Sequence, residues 1–405
     1  MGPSVTQARD SWTLNTGVAI GFAIAFIPLQ VSQFLIGGLM DDRGFNAVQA
    51  GTLSTIEVMA VAGAALVAAL FMSRRCVVRV GIGGTLIAGL AQLGSTLPDS
   101  FWWLAAARLA AGIGSGLVVA AVAAAAASAR SPDRLYGFAT AGFAAIMIGL
   151  YPALAASIDA MGIAAGYGLL GVLFLLGLPF LRGLGRGSRG VVISRPKERR
   201  LPRGELALLL ALIGTLGLGI GPLWGFMERI GMNLGIGAER LGVIFSVSQF
   251  AAMGGALLAG ALGARCGRRG PLALALAVLG IVCLGFGFVS GAVSYVSLVL
   301  LCLLLIYFLW SFLFAIVAIF DPVGRVGPAA IGWWMLLIGL GPALGGVLVT
   351  AGSYAALGWF ALGVCGLGAL LALLFGRPLN RLGATSAPRH DLQHGLSARP
   401  SADPG

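Results

Sequence analysis

Two charged residues, Glu57 and Arg108, lie deep inside apolar stretches of the sequence, whereas thirteen of the fourteen acidic residues fall in connections, tails or the ends of such stretches. An unpaired carboxylate in hydrocarbon costs several kcal/mol, so Glu57 must face a cavity, pair with a cation or stay protonated. Arg108 is the basic residue that could pair with it. We expect salt-bridge contact between them, either as a site that binds and releases protons or as a static ion pair that fixes helix packing.

Few other residues could carry chemistry in these stretches. Both histidines, His390 and His394, lie in the C-terminal tail, so no imidazole relay is expected. The five cysteines lack the spacing of a metal site or of a disulfide framework. No nucleophile accompanies Glu57. We therefore expect no enzyme, no cofactor and no metal site.

The elements that must position Glu57 and Arg108 are membrane-spanning helices. The sequence is 59% hydrophobic and 10% charged, with a mean hydropathy of +0.98, which is more apolar surface than a water-soluble domain of this size can bury. Apolar stretches of about 20 residues, each long enough to cross a bilayer, recur along the chain. They predict an all-α membrane protein with twelve spans, near 14–38, 46–72, 79–98, 101–129, 135–158, 161–181, 206–227, 240–263, 271–291, 294–318, 328–351 and 354–376.

The basic residues predict the orientation of these spans. With the N-terminus in the cytoplasm, 22 of the 26 basic residues lie on the cytoplasmic side, and only Arg43, Arg229 and Arg240 lie on the other. This is the positive-inside pattern. We expect a multi-pass protein of the inner (cytoplasmic) cell membrane with both termini cytoplasmic. The net charge of +12 is then a topology signal and does not indicate nucleic acid.

One long connection divides the spans into six and six. Residues 182–205 are basic and rich in Pro and Gly, and the chain after residue 377 has few apolar residues. We expect an N-terminal six-helix bundle at 1–181, a cytoplasmic linker at 182–205, a C-terminal six-helix bundle at 206–376 and a disordered cytoplasmic tail at 377–405.

An internal repeat relates the two halves. The second span aligns without gaps with the eighth at an offset of 191, so that Gly51 meets Gly242. Pro152 in the fifth span meets Pro342 in the eleventh at an offset of 190. Parallel repeats of this kind place a binding site near the bilayer midplane, between the halves. The repeat predicts two bundles related by a pseudo-twofold axis along the membrane normal.

Three short motifs carry a family resemblance, and two of them lie in the fourth span and directly after the eighth. Arg108 begins the run R-L-A-A-G-I-G-S-G in the fourth span, in which residues 108, 112 and 116 share one helical face and predict the close approach of a neighbouring helix. Gly260 begins the run G-A-L-G-A-R-C-G-R-R after the eighth span. These runs resemble the R-x-x-x-G-x-G motif and the G-x-L-x-D-R-x-G-R-R loop of the major facilitator superfamily, with Ala264 in place of the loop's Asp. The resemblance covers roughly residues 10–380.

The resemblance implies roles for further residues. The family uses the loops after the second and eighth spans as a cytoplasmic gate, for which the candidates here are Arg74, Arg75, Gly267, Arg268 and Arg269. In that family the first, fourth, seventh and tenth helices line the cavity. Together with two residues of the fifth and eleventh spans, this gives the substrate-binding candidates Gln30, Gln33, Arg108, Tyr151, Trp224, Tyr307, Trp310 and Trp334.

These candidates suit a compact organic molecule with an apolar body and an anionic group. We expect a monomeric secondary transporter that moves a small organic solute, such as an organic or aromatic acid, with protons or sodium as the coupling ion and Glu57 with Arg108 as the proton-coupling pair. One alternative is a drug or metabolite antiporter. The family's antiporters carry G-P-x-x-G-G in the fifth span, but here it stands in the eleventh, from Gly341, so it does not indicate export. The other alternative is a receptor or scaffold on the same fold.

Overall fold

The chain, in this computed structural model, is described at residues 12–72, 76–97, 100–127, 129, 132–186, 203–262, 267–320 and 326–376. The regular elements of these ranges are all helices. Their bounds are α1 Trp12–Asp42, α2 Ala47–Phe71, α3 Val77–Gly94, α4 Phe101–Ala127, α5 Pro132–Met161, α6 Ile163–Gly177 with a 3-10 continuation at Leu178–Arg186, α7 Arg203–Asn233, α8 Ala238–Leu262, α9 Arg269–Gly285, α10 Ala292–Phe320, α11 Val326–Gly339, α12 Gly341–Ala351 and α13 Tyr354–Phe375.

These helices form the twelve predicted spans in two six-helix bundles. Among the described residues, eleven spans are long and apolar enough to cross a membrane, and α9 is a shorter apolar helix. Helices α11 and α12 count as one span, interrupted at Leu340. Pro342 explains the interruption, because it lacks the N–H that would bond to the Ile338 carbonyl one turn earlier.

Three helix ends differ most from the predicted ones. Helix α9 ends at Gly285 and not near 291, since the glycine-rich residues that follow form turns in which the N–H groups of Phe286 and Gly287 bond three residues back. Its 17 residues rise about 26 Å, close to the shortest length that crosses a bilayer. The last turns of α6 continue past 181 as a 3-10 helix. Helix α7 continues past 227 to Asn233, which places Glu228 inside the span.

Several predicted segments lie outside the described residues. These are 187–202 of the linker, 377–405 of the tail, and Arg74 and Arg75 of the gate. The predictions made for these segments stay predictions.

The two halves meet near one end of the bundle. We call the end at which α1 stops and α2 begins the distal side, and the end at which α1 begins the proximal side. On the distal side α2 packs against α12, and α8 packs against α5. A Cβ added at Gly51 would overlap the carbonyl of Pro342, and one added at Gly242 would lie 2.8 Å from the Cα of Pro152. The same repeated pair of glycine and proline thus forms the contact twice, as pseudo-twofold symmetry requires.

The faces of α2 and α8 that make these contacts become exposed toward the proximal side. On α2, the hydroxyl of Thr55 accepts a hydrogen bond from the N–H of Ala343 at 3.0 Å, but Leu66, three turns later, is 69% exposed. On α8, the hydroxyl of Ser246 donates to a carbonyl of α5 at 2.8 Å, but Leu257, three turns later, is 72% exposed. The halves are therefore joined on the distal side. Toward the proximal side, the faces of α2 and α8 that contact the other half become exposed.

Candidate functional site

Glu57 and Arg108 form the expected salt bridge. The Oε2 atom of Glu57 lies 3.0 Å from Nη1 of Arg108, and the two residues are 3% and 1% exposed. Gln92 of α3 completes a ring, because its Nε2 donates to Oε1 of Glu57 at 3.0 Å and its Oε1 accepts from Nη2 of Arg108 at 2.9 Å. The hydroxyl of Ser95 accepts from the same nitrogen. Both carboxylate oxygens of Glu57 are therefore hydrogen-bonded within the network.

The glycines of the fourth-span motif bring the partners together. A Cβ at Gly112, one turn after Arg108, would overlap the carbonyl of Glu57, and a Cβ at Gly116 would overlap the carbonyl of Val61. The absence of side chains lets α4 approach α2 closely, as predicted. On the opposite side Tyr167 of α6 covers the guanidinium, with 4.4 Å between Cζ of Arg108 and the ring centroid, a cation–π arrangement that adds to its stabilisation.

This network lies inside the N-terminal half, between α2, α3, α4 and α6. It commits the guanidinium of Arg108 to Glu57, Gln92 and Ser95. The structure therefore separates Arg108 from the other substrate-binding candidates. Sequence reasoning missed Gln92 as a partner, although an amide inside an apolar stretch was a visible signal, since buried polar groups need partners.

Four other substrate-binding candidates meet midway along α1. Nε2 of Gln30 donates to the hydroxyl of Tyr307 at 3.0 Å, which links α1 in one half to α10 in the other. The Tyr151 hydroxyl donates to the Gln30 carbonyl at 3.4 Å. Nε1 of Trp224 donates to the Leu29 carbonyl at 3.1 Å. These contacts place polar and aromatic groups of both halves at the centre of the bundle.

Two aromatic residues missed by the sequence reasoning surround this centre. The ring of Phe245 on α8 lies 5.5 Å from that of Phe34 and 5.8 Å from that of Tyr151, with Trp224 at 6.5 Å, measured between centroids. Phe245 and Phe34 are both buried. Their cluster closes the centre of the bundle toward the distal side.

Two of the three remaining candidates, Gln33 and Trp334, have buried polar atoms without hydrogen-bond partners among the described residues. Trp310 and Trp334 pack edge to face with 6.3 Å between centroids, and Nε1 of the buried Trp334 has no hydrogen-bond partner within the described ranges. Gln33 is fully buried, and both of its amide atoms likewise lack partners among these residues. Buried polar groups of this kind are normally satisfied by water or by a ligand.

Glu228 corrects the expectation that Glu57 is the one buried carboxylate. The predicted seventh span ends at 227 and leaves Glu228 in a connection, but α7 continues to Asn233 and Glu228 is only 5% exposed. It faces Gly37 of α1, across the junction of the two halves. The signal in the sequence was its spacing of four residues from Trp224, which puts both on the same face of α7.

The predicted gate is described in part. Gly267 has a φ of +69°, a conformation that favours glycine. Arg268 is buried, and Arg269 donates to the carbonyl of Leu373 on α13. Arg269 thus links the start of α9 to α13 on the proximal side.

The sequence matches a family model, and the fold matches solved transporter structures. A sequence model described as the Major Facilitator Superfamily matches residues 18–323, about three quarters of the chain. The chain belongs to the major facilitator superfamily. No curated protein sequence matches it.

Among solved structures, a D-xylose–proton symporter superposes with a TM-score of 0.71 at 15% identity, covering 92% of this chain and 99% of that one. A peptide transporter superposes with a TM-score of 0.70 at 14% identity, covering 91% and 95%. A transporter of the POT family in complex with a thioalcohol-conjugated peptide superposes with a TM-score of 0.68 at 13% identity, covering 90% and 96%. At these identities the likeness concerns the major facilitator fold.

Proposed function

We propose that the chain is a secondary active transporter that moves a small organic solute by alternating access and couples this movement to protons. The observation that carries the proposal is the pair of repeated contacts on the distal side, Gly51 with Pro342 and Gly242 with Pro152. Because, within the described part of the chain, two symmetric contacts join the halves at the distal end, the halves can rock about the central residues and exchange which end is closed.

The distribution of arginines indicates which side of the membrane each end of the bundle faces. If the proximal side is cytoplasmic, the described shape is closed to the outside, with Arg43 and Arg229 on the outer surface and Arg79 and Arg182 on the inner one. A solute would then reach Gln30, Tyr307 and the tryptophans from the cytoplasm in this conformation.

The position of Arg108 bears on the class of solute. An organic acid was expected because a guanidinium was placed in the cavity, but Arg108 is held by Glu57 and Gln92. The described central residues are aromatic rings, a phenol and amides, which suit a neutral amphipathic compound with a ring and a few polar groups. The antiporter is the second candidate, since the same aromatic and amide groups would also suit the export of such compounds.

Flux through proteoliposomes tests the proposal. Purified protein would be assayed with a panel of neutral aromatic compounds and matched aromatic acids, under pH gradients of either sign. We expect gradient-driven movement of at least one neutral compound, and the sign of the effective gradient distinguishes symport from antiport. Absence of any flux across the panel would support the receptor or scaffold instead.

The coupling role of Glu57 is tested by Glu57→Gln. The amide keeps the size and the hydrogen-bonding capacity of the carboxyl group but cannot bind and release a proton, so it cannot couple transport to the proton gradient. We expect solute exchange without a gradient to survive and gradient-driven accumulation to be lost. The measurement compares the two modes of uptake in the same vesicles.

Glu239→Gln is the matched control for this prediction. Glu239 is an exposed carboxylate at the start of α8, and its neutralisation should leave both modes unchanged. Normal accumulation by the Glu57→Gln variant would rule the carboxylate out as the coupling group and leave it as part of a static network.

A further inference from the structure

The junction of α1 and α7 on the distal side contains a buried carboxyl group that the proposed coupling pair does not use. Three pairs of residues face each other across it. On α7 and α1 these are Trp224 with Leu29, Gly225 with Ile36, and Glu228 with Gly37. We call this junction, Leu29–Asp41 of α1 with Trp224–Arg229 of α7, the distal seam. It joins the N-terminal half to the C-terminal half, so it must part whenever the distal side opens.

The carboxyl group of Glu228 is built into the seam. A Cβ added at Gly37 would overlap Oε2 of Glu228 and would lie 2.9 Å from its Cδ. Gly37 has ordinary helical backbone angles, since the positive φ values of the described chain are at Gly44, Gly162, Gly235 and Gly267. A glycine at position 37 is thus explained by packing, because a side chain there would displace the carboxyl group.

Oε2 of Glu228 has no hydrogen-bond partner among the described residues and is fully enclosed. This differs from Glu57, whose two oxygens are both bonded. A neutral carboxyl group tolerates such an environment far better than a carboxylate, whose burial without a direct partner costs several kcal/mol. The closed seam therefore favours the protonated form.

Among the described residues, no cation pairs directly with Glu228. Arg229, the next residue, pairs at 2.5 Å with Asp41 of α1 at the exposed rim of the seam. Tyr295 of α10 lies close to Glu228, but its hydroxyl donates to the Met227 carbonyl. Tyr354 of α13 is near Arg229. The positive charge of Arg229 is thus largely balanced by Asp41.

We propose that Glu228 is a proton-binding site whose protonation closes the distal seam and whose ionisation opens it. The closed seam binds the proton more tightly than the open one, so by linkage low pH favours closure, and closure is lost as the pH rises and the carboxyl group ionises. In a transporter this makes the seam a proton-controlled outer gate. The proposal deepens the proposed function, but its test requires no transport.

Spin-label distances across the seam measure its opening directly. Labels would be attached to Met161→Cys at the distal end of α5 and Asn233→Cys at the end of α7, both exposed, in a cysteine-free background at constant sodium. In the wild-type seam we expect the ratio of long-distance to short-distance populations to rise about fivefold or more from pH 5 to pH 9, which corresponds to about 1 kcal/mol of proton linkage. Glu228→Gln should stay closed at both pH values.

Glu205→Gln is the matched control, because Glu205 lies at the opposite end of the same helix and should keep the full pH response. If Glu228→Gln fails to fold, Glu228→Ala replaces it and should also lose the pH response. A wild-type seam that does not respond to pH, or a pH response retained by the Glu228 variant, overturns the proposal. A pH-dependent seam in a protein without flux would instead support this site and refute the transport function.

Discussion

The two halves share one arrangement of helices but differ in what fills the same positions. At the repeat offset of 191, the three members of the ring in the N-terminal half are replaced by small or apolar residues in the C-terminal half. The corresponding pairs are Glu57 and Ser248, Gln92 and Cys283, and Arg108 and Val299. All three replacements are fully buried. The same arrangement of helices is thus formed in the C-terminal half without a charged ring at these positions, so the fold itself does not require the charges found in the N-terminal half.

The close helix contacts of the two halves are also made differently. In the N-terminal half Gly116 of α4 faces α2, with Ala64 nearby. At the same offset, position 116 corresponds to Tyr307 and position 64 to Gly255. A Cβ added at Gly255 would overlap a carbonyl of α10. The glycine of the close contact thus lies on α4 in the N-terminal half and on α8 in the C-terminal half. Position 307 of α10 can therefore carry a large side chain, which reaches Gln30.

The largest expected effect comes from breaking the charged network. Arg108→Leu leaves the carboxylate of Glu57 buried without its cation, and removal of one partner of a buried ion pair costs about 3–5 kcal/mol. We expect this variant to unfold at much lower temperature in detergent than the wild type. The measurement is thermal unfolding followed by tryptophan fluorescence and size-exclusion recovery.

Arg240→Leu, at an exposed position on α8, controls for loss of positive charge and should be close to neutral. Replacing Glu57 by Leu in the Arg108→Leu background should restore part of the stability, because the orphaned charge is removed. A single Arg108→Leu variant as stable as the wild type would show that the halves do not differ in the way described.

A smaller effect is expected at the contact of α2 with α4. Gly112→Ala places a Cβ against the carbonyl of Glu57, and overpacking of this kind costs about 1–3 kcal/mol. Gly63→Ala is the control within the same pair of helices, since nothing lies within 4 Å of a Cβ at that position. It should gain about 0.4–1 kcal/mol by restricting the unfolded chain. Equal unfolding temperatures for the two variants would contradict the close approach.

Much of this arrangement could be predicted from the sequence. Apolar length predicts the spans, the repeat predicts the symmetry, and the scarcity of charges inside spans predicts the pairing of Glu57 with Arg108. Each of these signals is local or periodic. They identify the face of a helix on which a residue lies, but not which neighbouring helix that face meets.

The missed features depend on such neighbours. Gly51 and Pro342 were both recognised, but not their contact across the halves. Span ends were placed at charged residues, which put Glu228 outside the membrane. Arg229 is paired with Asp41 of the other half, and α7 continues past it to Asn233. No spacing along the sequence reveals that pairing.

The smallest expected effect is in the C-terminal half, at the repeat partner of Glu57. The hydroxyl of Ser248 donates to the Phe245 carbonyl of its own helix at 2.7 Å. That carbonyl belongs to the helical backbone, so Ser248→Ala removes one local hydrogen bond and leaves no buried charge. We expect a loss of about 0.5–1 kcal/mol, measured by the same thermal unfolding.

Ser248→Ala and Arg108→Leu act at aligned sites in the two halves, and the contrast between them tests the comparison. If the C-terminal half is held by apolar packing, Ser248→Ala must be several-fold milder than Arg108→Leu, and flux must be retained because the Ser248 hydroxyl bonds a carbonyl of its own helix. A loss of stability from Ser248→Ala as large as that from Arg108→Leu would mean that a polar network also holds the C-terminal half. The asymmetry between the halves would then lie in charge alone and not in how their interiors are stabilised.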